Sequence, residues 1–132
     1  MCVQGARWVQ TNILDAKPDA AIHVYAIFFE IVAGDKGAKY EVDPREMLDD
    51  PRVTHFWDER RLTGRWFDEN VTRIGKRTGE EGRIEWDTFI LYDDRAEWTD
   101  EPPRTVSWGR PVIQEKTRLL RDLEKALNRR PE

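Results

Sequence analysis

The apolar run at residues 22–31 constrains the fold more than any other feature of this sequence. It consists mainly of Ile, Val, Tyr and Phe, and these β-branched and aromatic residue types are enriched in strands. The run does not alternate between apolar and polar residues, which is typical of a strand covered on both faces in a parallel sheet flanked by helices. We therefore expect a buried strand of an α/β fold.

Composition predicts one folded domain with a very polar surface. The chain has 132 residues, 36% of them charged, and its six Trp, five Phe and three Tyr offset a low apolar content of 39%. This length supports one core, so we expect a single domain over residues 1–132. The net charge of −4 gives no reason to expect nucleic acid as a partner.

The rest of the chain predicts helices and strands in alternation. Strands separated by helices favour parallel pairing, whereas two strands joined by a tight turn favour an antiparallel hairpin. The predicted order is a helix at 2–14, the strand at 22–31, a short helix at 43–49, a strand at 53–57, a helix capped by Asp58, a loop at 72–83, a hairpin of strands 88–92 and 96–98, and a long amphipathic helix at 112–128.

Two motifs carry a resemblance to a known group of proteins. The first is DPRVTHFWDERRLTGRWF at residues 50–67, and the second is EWDTFILY at residues 85–92. Each contains a Trp-Asp pair, and together they resemble a group of uncharacterised bacterial proteins with a thioredoxin-like fold. The resemblance implies a thioredoxin-like sheet over roughly residues 2–127, with mixed parallel strands and a C-terminal antiparallel hairpin, flanked by helices.

The chain departs from redox-active thioredoxin-like proteins at two places. The resemblance puts Cys2 at the position of the second cysteine of their Cys-x-x-Cys motif, so the first strand and the first cysteine are expected to be missing. Residues 85–87 stand where such proteins carry a proline before the hairpin. Both departures argue against dithiol–disulfide chemistry, because one cysteine cannot perform a two-thiol exchange.

Cys2 is nevertheless the candidate nucleophile, since it is the one cysteine in the sequence. At a helix N-terminus the helix dipole would favour its thiolate. The competing interpretation is an inert thiol, because a lone cysteine cannot cycle through an internal disulfide.

A candidate ligand pocket combines aromatic and charged side chains from the two motifs: His55, Trp57, Asp58, Arg61, Trp86 and Asp87. Aromatic walls with a few polar groups are typical of small-molecule sites. The competing interpretation is structural: a hydrogen-bonded His55, and Trp57 and Trp86 packed with more than about three-quarters of each ring shielded from water. The spacing matches no metal signature, so we expect neither a metal nor another cofactor.

The sequence therefore predicts a small cytoplasmic binding or interaction protein without catalytic activity. The alternatives are a thiol oxidoreductase or peroxidase-like protein that relies on Cys2, and a small-molecule-binding protein with a Trp/His-lined pocket. No stretch has the composition of a signal peptide or a membrane span, so no membrane partner is expected.

A homodimer is the expected assembly. Without the central strand of the thioredoxin-like sheet, apolar strand edges need to be covered, and a second copy is the commonest partner. The acidic stretch at residues 80–101 and the basic stretch at 104–130 offer complementary charge. We expect an interface that buries more than about 1,000 Å².

Overall fold

The computed structural model describes residues 2–29, 44–79, 85 and 87–129, which mix helix and strand as expected for an α/β protein. A π-helical turn, Gln10–Leu14, extends the first helix, and another, Asp68–Thr72, extends the third. The helices are α1 Cys2–Val9, α2 Pro44–Met47, α3 Leu62–Phe67, α4 Ile74–Thr78 and α5 Lys116–Asn128, and the strands are β1 Val24–Phe28, β2 Val53–Trp57, β3 Phe89–Leu91 and β4 Ser107–Gly109. No helix in these ranges is both long and apolar enough to cross a bilayer.

β1 and β2 form a parallel pair, which confirms the pairing predicted from the sequence. Their register runs from Val24 opposite Val53 to Phe28 opposite Trp57. Alternate residues of each strand point to opposite faces, and the inner face of the pair packs on Leu14 and Leu48. This contact forms the first of two hydrophobic clusters.

Among the described residues the outer face of this pair is open, so the prediction of a strand covered on both faces is wrong for β1. Residues 30 and 31 of the predicted strand lie outside the described ranges. Tyr25 is 67% exposed and Phe56 is 49% exposed. A run of apolar residues without alternation shows that each side chain tolerates burial, but it does not show that a second layer is present to bury it.

β3 and β4 form an antiparallel pair, with Ile90 opposite Trp108. The predicted hairpin partner at residues 96–98 is therefore wrong, although the turn itself is confirmed by an Ala96 N–H donating to the Asp93 carbonyl at 3.1 Å. After this turn Trp98 packs against Trp66, with ring centroids 5.7 Å apart. Residue 98 is therefore part of an aromatic group, and β3 pairs with β4 instead.

The second hydrophobic cluster lies between α5 and the N-terminal helix. Its buried members are Ile13, Leu119 and Leu123, and Phe89 packs against them from β3. α5 starts at Lys116 rather than at the predicted residue 112, because turns occupy residues 112–114. Glu115, the residue before α5, forms an ion pair with Arg118 at 3.1 Å.

The sequence predicted an irregular loop at residues 72–83, but Thr72 ends a π-helical turn and α4 covers Ile74–Thr78, so that prediction is wrong there. Residues 80–83 lie outside the described ranges.

Two buried carboxylates, Asp68 and Glu85, bind the segments before and after α4. The Thr72 hydroxyl donates a hydrogen bond of 2.6 Å to Oε1 of Glu85, and the Thr88 hydroxyl donates one of 2.6 Å to Oε2. The Asp68 carboxylate accepts the Gly75 N–H at 3.1 Å, next to the start of α4. Both carboxylates are at least 95% shielded from solvent, so hydrogen bonds replace the water that they lose.

Replacing Thr72 with valine is expected to destabilise the protein by roughly 1–3 kcal/mol, because the change keeps the side-chain shape but leaves one buried oxygen of Glu85 without a donor. Urea denaturation measures the difference. Thr117→Val is the matched control, since Thr117 is an exposed residue of α5 and Thr and Val have similar helix propensities. Equal stability of the two variants would show that the Thr72 hydrogen bond contributes nothing.

Candidate functional site

His55 lies on β2, and its ring is hydrogen-bonded to the backbone. Its Nε2 is 2.7 Å from the carbonyl oxygen of Leu48, so this nitrogen carries the proton and donates it. Leu48 belongs to the first hydrophobic cluster. The contact thus ties β2 to the segment after α2, which favours the structural interpretation of His55 over an acid–base role.

The carboxylate of Asp58 caps α3 from three residues before the N-cap position, which is Arg61 and makes no side-chain cap hydrogen bond. Its Oδ2 accepts the backbone N–H of Thr63 at 2.7 Å and also the Thr63 hydroxyl. Burial alone would raise the pKa of Asp58, but the hydrogen bonds from the side chain and backbone of Thr63 outweigh it and hold the pKa below its usual value. Arg61 precedes the helix in the left-handed conformation, with φ 57°. Asp58 therefore stays ionised at neutral pH as a helix cap.

Trp57 is 45% exposed, so the prediction that more than three-quarters of its ring is shielded is wrong. It is the last residue of β2, paired with Phe28 at the end of β1. The cluster around Leu14 and Leu48 includes Phe28 but not Trp57. The Trp57 ring therefore lies at the end of β2, outside the hydrophobic cluster that covers the inner face.

Asp87 joins the residues before β3 to the segment before α5. Its carbonyl oxygen accepts the N–H of Val112 at 3.1 Å, and its Oδ1 lies 3.4 Å from the same nitrogen. Trp86 and the side chain of Cys2 lie outside the described residues. The structure thus gathers His55, Trp57, Asp58 and Arg61 along β2 and the turn after it, and the ligand pocket and the role of Cys2 stay predictions.

Four side chains form an ordered, exposed surface on the outer side of β1 and β2, which we name the outer aromatic face: His23, Tyr25, Thr54 and Phe56. The His23 and Tyr25 ring centroids are 4.4 Å apart, and the Tyr25 and Phe56 rings stack at 6.4 Å. His23 Nε2 also lies 2.9 Å from the Thr54 hydroxyl. The sequence did not predict this face, because aromatic residues in two strands indicate a shared surface only when the pairing register is known.

A second aromatic group packs the connection after β3 against α3. Trp98 contacts Trp66, Phe67 and Tyr92, with ring centroids 5.7, 6.2 and 5.9 Å apart. Burial raises the pKa of the Tyr92 hydroxyl. Because the rings contact one another, they pack α3 against the segment after β3, although Trp98 is 51% exposed and Trp66 is 38% exposed.

Neither a metal site among the described residues nor a related protein points to a function for this chain. Within residues 2–29, 44–79, 85 and 87–129, no three His, Cys, Asp or Glu side chains converge on a point where they would hold a metal ion. A comparison of the chain with protein-family models, curated proteins and solved structures finds no match.

Proposed function

We propose that this chain is a non-catalytic binding protein that associates with a second copy of itself through the outer aromatic face. The observation that carries the proposal is the exposure of two stacked rings, Tyr25 at 67% and Phe56 at 49%. Exposed apolar patches on an otherwise polar protein mark interaction surfaces. Aromatic residues are also the type most enriched at the centres of such surfaces.

The charge distribution supports a second copy as the occupant. Charged residues make up 36% of the chain, yet neither β1 nor β2 contains Asp, Glu, Lys or Arg. In a two-fold interface the same patch meets itself, so any charge near its centre would face a like charge. A flat aromatic patch without charges avoids this repulsion and allows the rings of both copies to stack.

The available area suits the centre of such an interface. A buried aromatic side chain removes roughly 150–250 Å² from water, so the exposed parts of Tyr25 and Phe56 with their neighbours supply on the order of 300 Å² per copy. Two copies together provide more than half of the ~1,000 Å² that a stable interface needs. The polar rim that surrounds interface centres would provide the rest.

The proposal also retains the thioredoxin-like arrangement expected from the two motifs. Its support is the order of the elements: a parallel pair, β1 with β2, then an antiparallel pair, β3 with β4, then the long helix α5. Within the described residues these pairs are two separate two-stranded sheets, whereas the expected arrangement has one mixed sheet. In the part of the chain that the structure describes, each strand pairs with one neighbour. An unpaired strand edge beside an exposed apolar face is a further reason for association.

Sedimentation equilibrium at micromolar concentration tests the dimer. The wild-type chain is expected at twice its 15.6 kDa mass, and the double variant Tyr25→Thr/Phe56→Thr is expected as a monomer, because it removes both rings while keeping residues that favour strands. Leu62→Gln is the matched control, since it removes an apolar side chain that is 59% exposed on α3 and should leave the dimer intact. A monomeric wild type, or a dimeric double variant, contradicts the proposal.

A further inference from the structure

A cleft of about 730 Å³ lies between α4, β4 and the start of α5. Three arginines, Arg77, Arg110 and Arg118, line it together with one acidic residue, Glu115, and the ring of Trp108. Its lining therefore carries an excess of positive charge in a chain whose net charge is −4. The volume falls within the range of small-molecule sites, roughly 300–1,000 Å³.

The contacts of the first two arginines leave their charges uncompensated. Arg77 donates from Nη2 to the carbonyl oxygen of Thr72 at 3.0 Å, and its guanidinium carbon lies 5.3 Å from the centre of the Trp108 ring. These contacts orient the guanidinium without supplying a negative charge. Arg110 forms no ion pair through its side chain with any residue in the described ranges.

Arg118 is held in the cleft by a close fit as well as by an ion pair. Its Nη2 lies 3.1 Å from Glu115 Oε2, while its Nε is buried without a hydrogen-bond acceptor among the described residues. A Cβ at Gly109 would lie 2.5 Å from Arg118 Nη2 and 2.9 Å from the Phe89 ring. Glycine at this strand position therefore leaves the space that the guanidinium occupies.

We propose that this cleft binds the oxyanion group of a small molecule, a phosphate or a carboxylate, between Arg77, Arg110 and Arg118. The planar guanidinium fork matches the geometry of both anions and forms strong charge-assisted hydrogen bonds with them. Trp108 supplies the aromatic wall that accompanies polar groups in ligand pockets. The lining residues are separate from the outer aromatic face, so this site does not depend on the proposed dimer.

A bound anion also explains why three arginines line the same cleft. Like charges brought together on a folded surface repel one another, and Glu115 compensates one of the three arginines. A solvated basic surface would spread its arginines apart, with each guanidinium fully hydrated. Here the guanidinium of Arg77, an exposed residue, lies over the Trp108 ring. The Arg118 side chain is 41% exposed, but its Nε is buried, so the loss of hydration is confined to these atoms. An oxyanion ligand offsets that loss and the repulsion together.

Isothermal titration calorimetry at low ionic strength tests the site, with inorganic pyrophosphate as the phosphate probe and tricarballylate as the carboxylate probe. At least one probe is expected to bind, and the one that binds more tightly identifies the anion. Arg110→Gln should weaken that binding about tenfold or more, because a charge-assisted contact is lost. Because the Arg110 side chain forms no ion pair with any described residue, this change should leave the melting temperature close to that of the wild type.

Two further variants separate a built site from general charge attraction. Arg7→Gln removes the same charge from an exposed position on α1 that does not line the cleft. When the titrations are repeated at about 0.15 M salt, where exposed charges more than about 8 Å apart are largely screened, this variant should change the affinity by no more than about twofold. Gly109→Ala should weaken binding by displacing Arg118. The proposal is overturned if neither probe binds, or if Arg7→Gln and Arg110→Gln weaken binding equally.

Discussion

Replacing Leu14 with alanine is expected to destabilise the protein by about 3–5 kcal/mol, the upper part of the range for buried Leu→Ala changes. Leu14 is 1% exposed and, among the residues that the structure describes, is the largest side chain that is fully buried. It ends the π-helical turn after α1 and packs with Ala26 of β1 and with Leu48. The change therefore opens a cavity where the N-terminal helix meets the parallel sheet.

Urea denaturation followed by circular dichroism measures this loss. Leu62→Ala provides the comparison, because it makes the same chemical change at a side chain that is 59% exposed, where surface substitutions stay within about 0.5 kcal/mol. If Leu14→Ala cost no more than Leu62→Ala, Leu14 could not be the centre of the first hydrophobic cluster.

Arg52 joins the end of the N-terminal helix to the start of β2, and its guanidinium uses every donor that it has. Nε and Nη2 bind the two oxygens of Asp50, each at 2.9 Å. Nη1 donates to the carbonyl oxygens of Lys17 at 2.8 Å and Ala20 at 3.1 Å, and Nη2 also donates to Leu14 at 2.9 Å. One side chain thus binds three carbonyl groups at and after the end of the N-terminal helix, two of which, Lys17 and Ala20, also accept backbone N–H groups.

Replacing Arg52 with lysine is expected to cost about 2–4 kcal/mol, because an ammonium group keeps the charge but cannot reach all of these acceptors at once. Thermal unfolding should show a fall in melting temperature of roughly 10 °C for a domain of this size. Arg65→Lys is the control, since Arg65 is an exposed residue of α3 and the same change there should be nearly neutral. A neutral Arg52→Lys would mean that charge alone holds these segments together.

The pH dependence of stability provides an independent check on Arg52. Hydrogen bonds from the side chain and then the backbone of Arg52 lower the pKa of Asp50 to about 2. A carboxylate whose pKa is lowered on folding stabilises the protein above its unfolded pKa of about 3.9. That contribution is lost as the pH falls from about 4 towards 2. Arg52→Lys should make the loss of stability over this interval shallower.

Several parts of the fold were predictable because they depend on neighbouring residues. The non-alternating apolar run predicted β1, and the helical spacing of leucines predicted α5. Asp58 was identified as a helix cap, and its carboxylate does accept the N–H of Thr63. Helix and strand periodicity, caps and tight turns all act over a few residues, so the local sequence contains most of the information that they need.

The candidate sites were less predictable because their residues come from distant parts of the chain. The three arginines of the cleft are contributed by α4, by the residue after β4 and by α5. The basic character of residues 104–130 is evident from the sequence, but no local pattern predicts that Arg77 lies beside them. Likewise, Tyr25 and Phe56 become one surface only through the register of β1 with β2.

The sequence by itself determined the α/β class, the parallel pairing of the two apolar strands and the amphipathic C-terminal helix. Tertiary structure decided which strand pairs with β3, which face of β1 stays open to solvent and where the arginines converge. The physical reason is one of range. Secondary structure follows from side-chain periodicity over adjacent turns, whereas strand partners and clefts follow from long-range packing, such as that of Trp98 on Trp66, which no local pattern encodes.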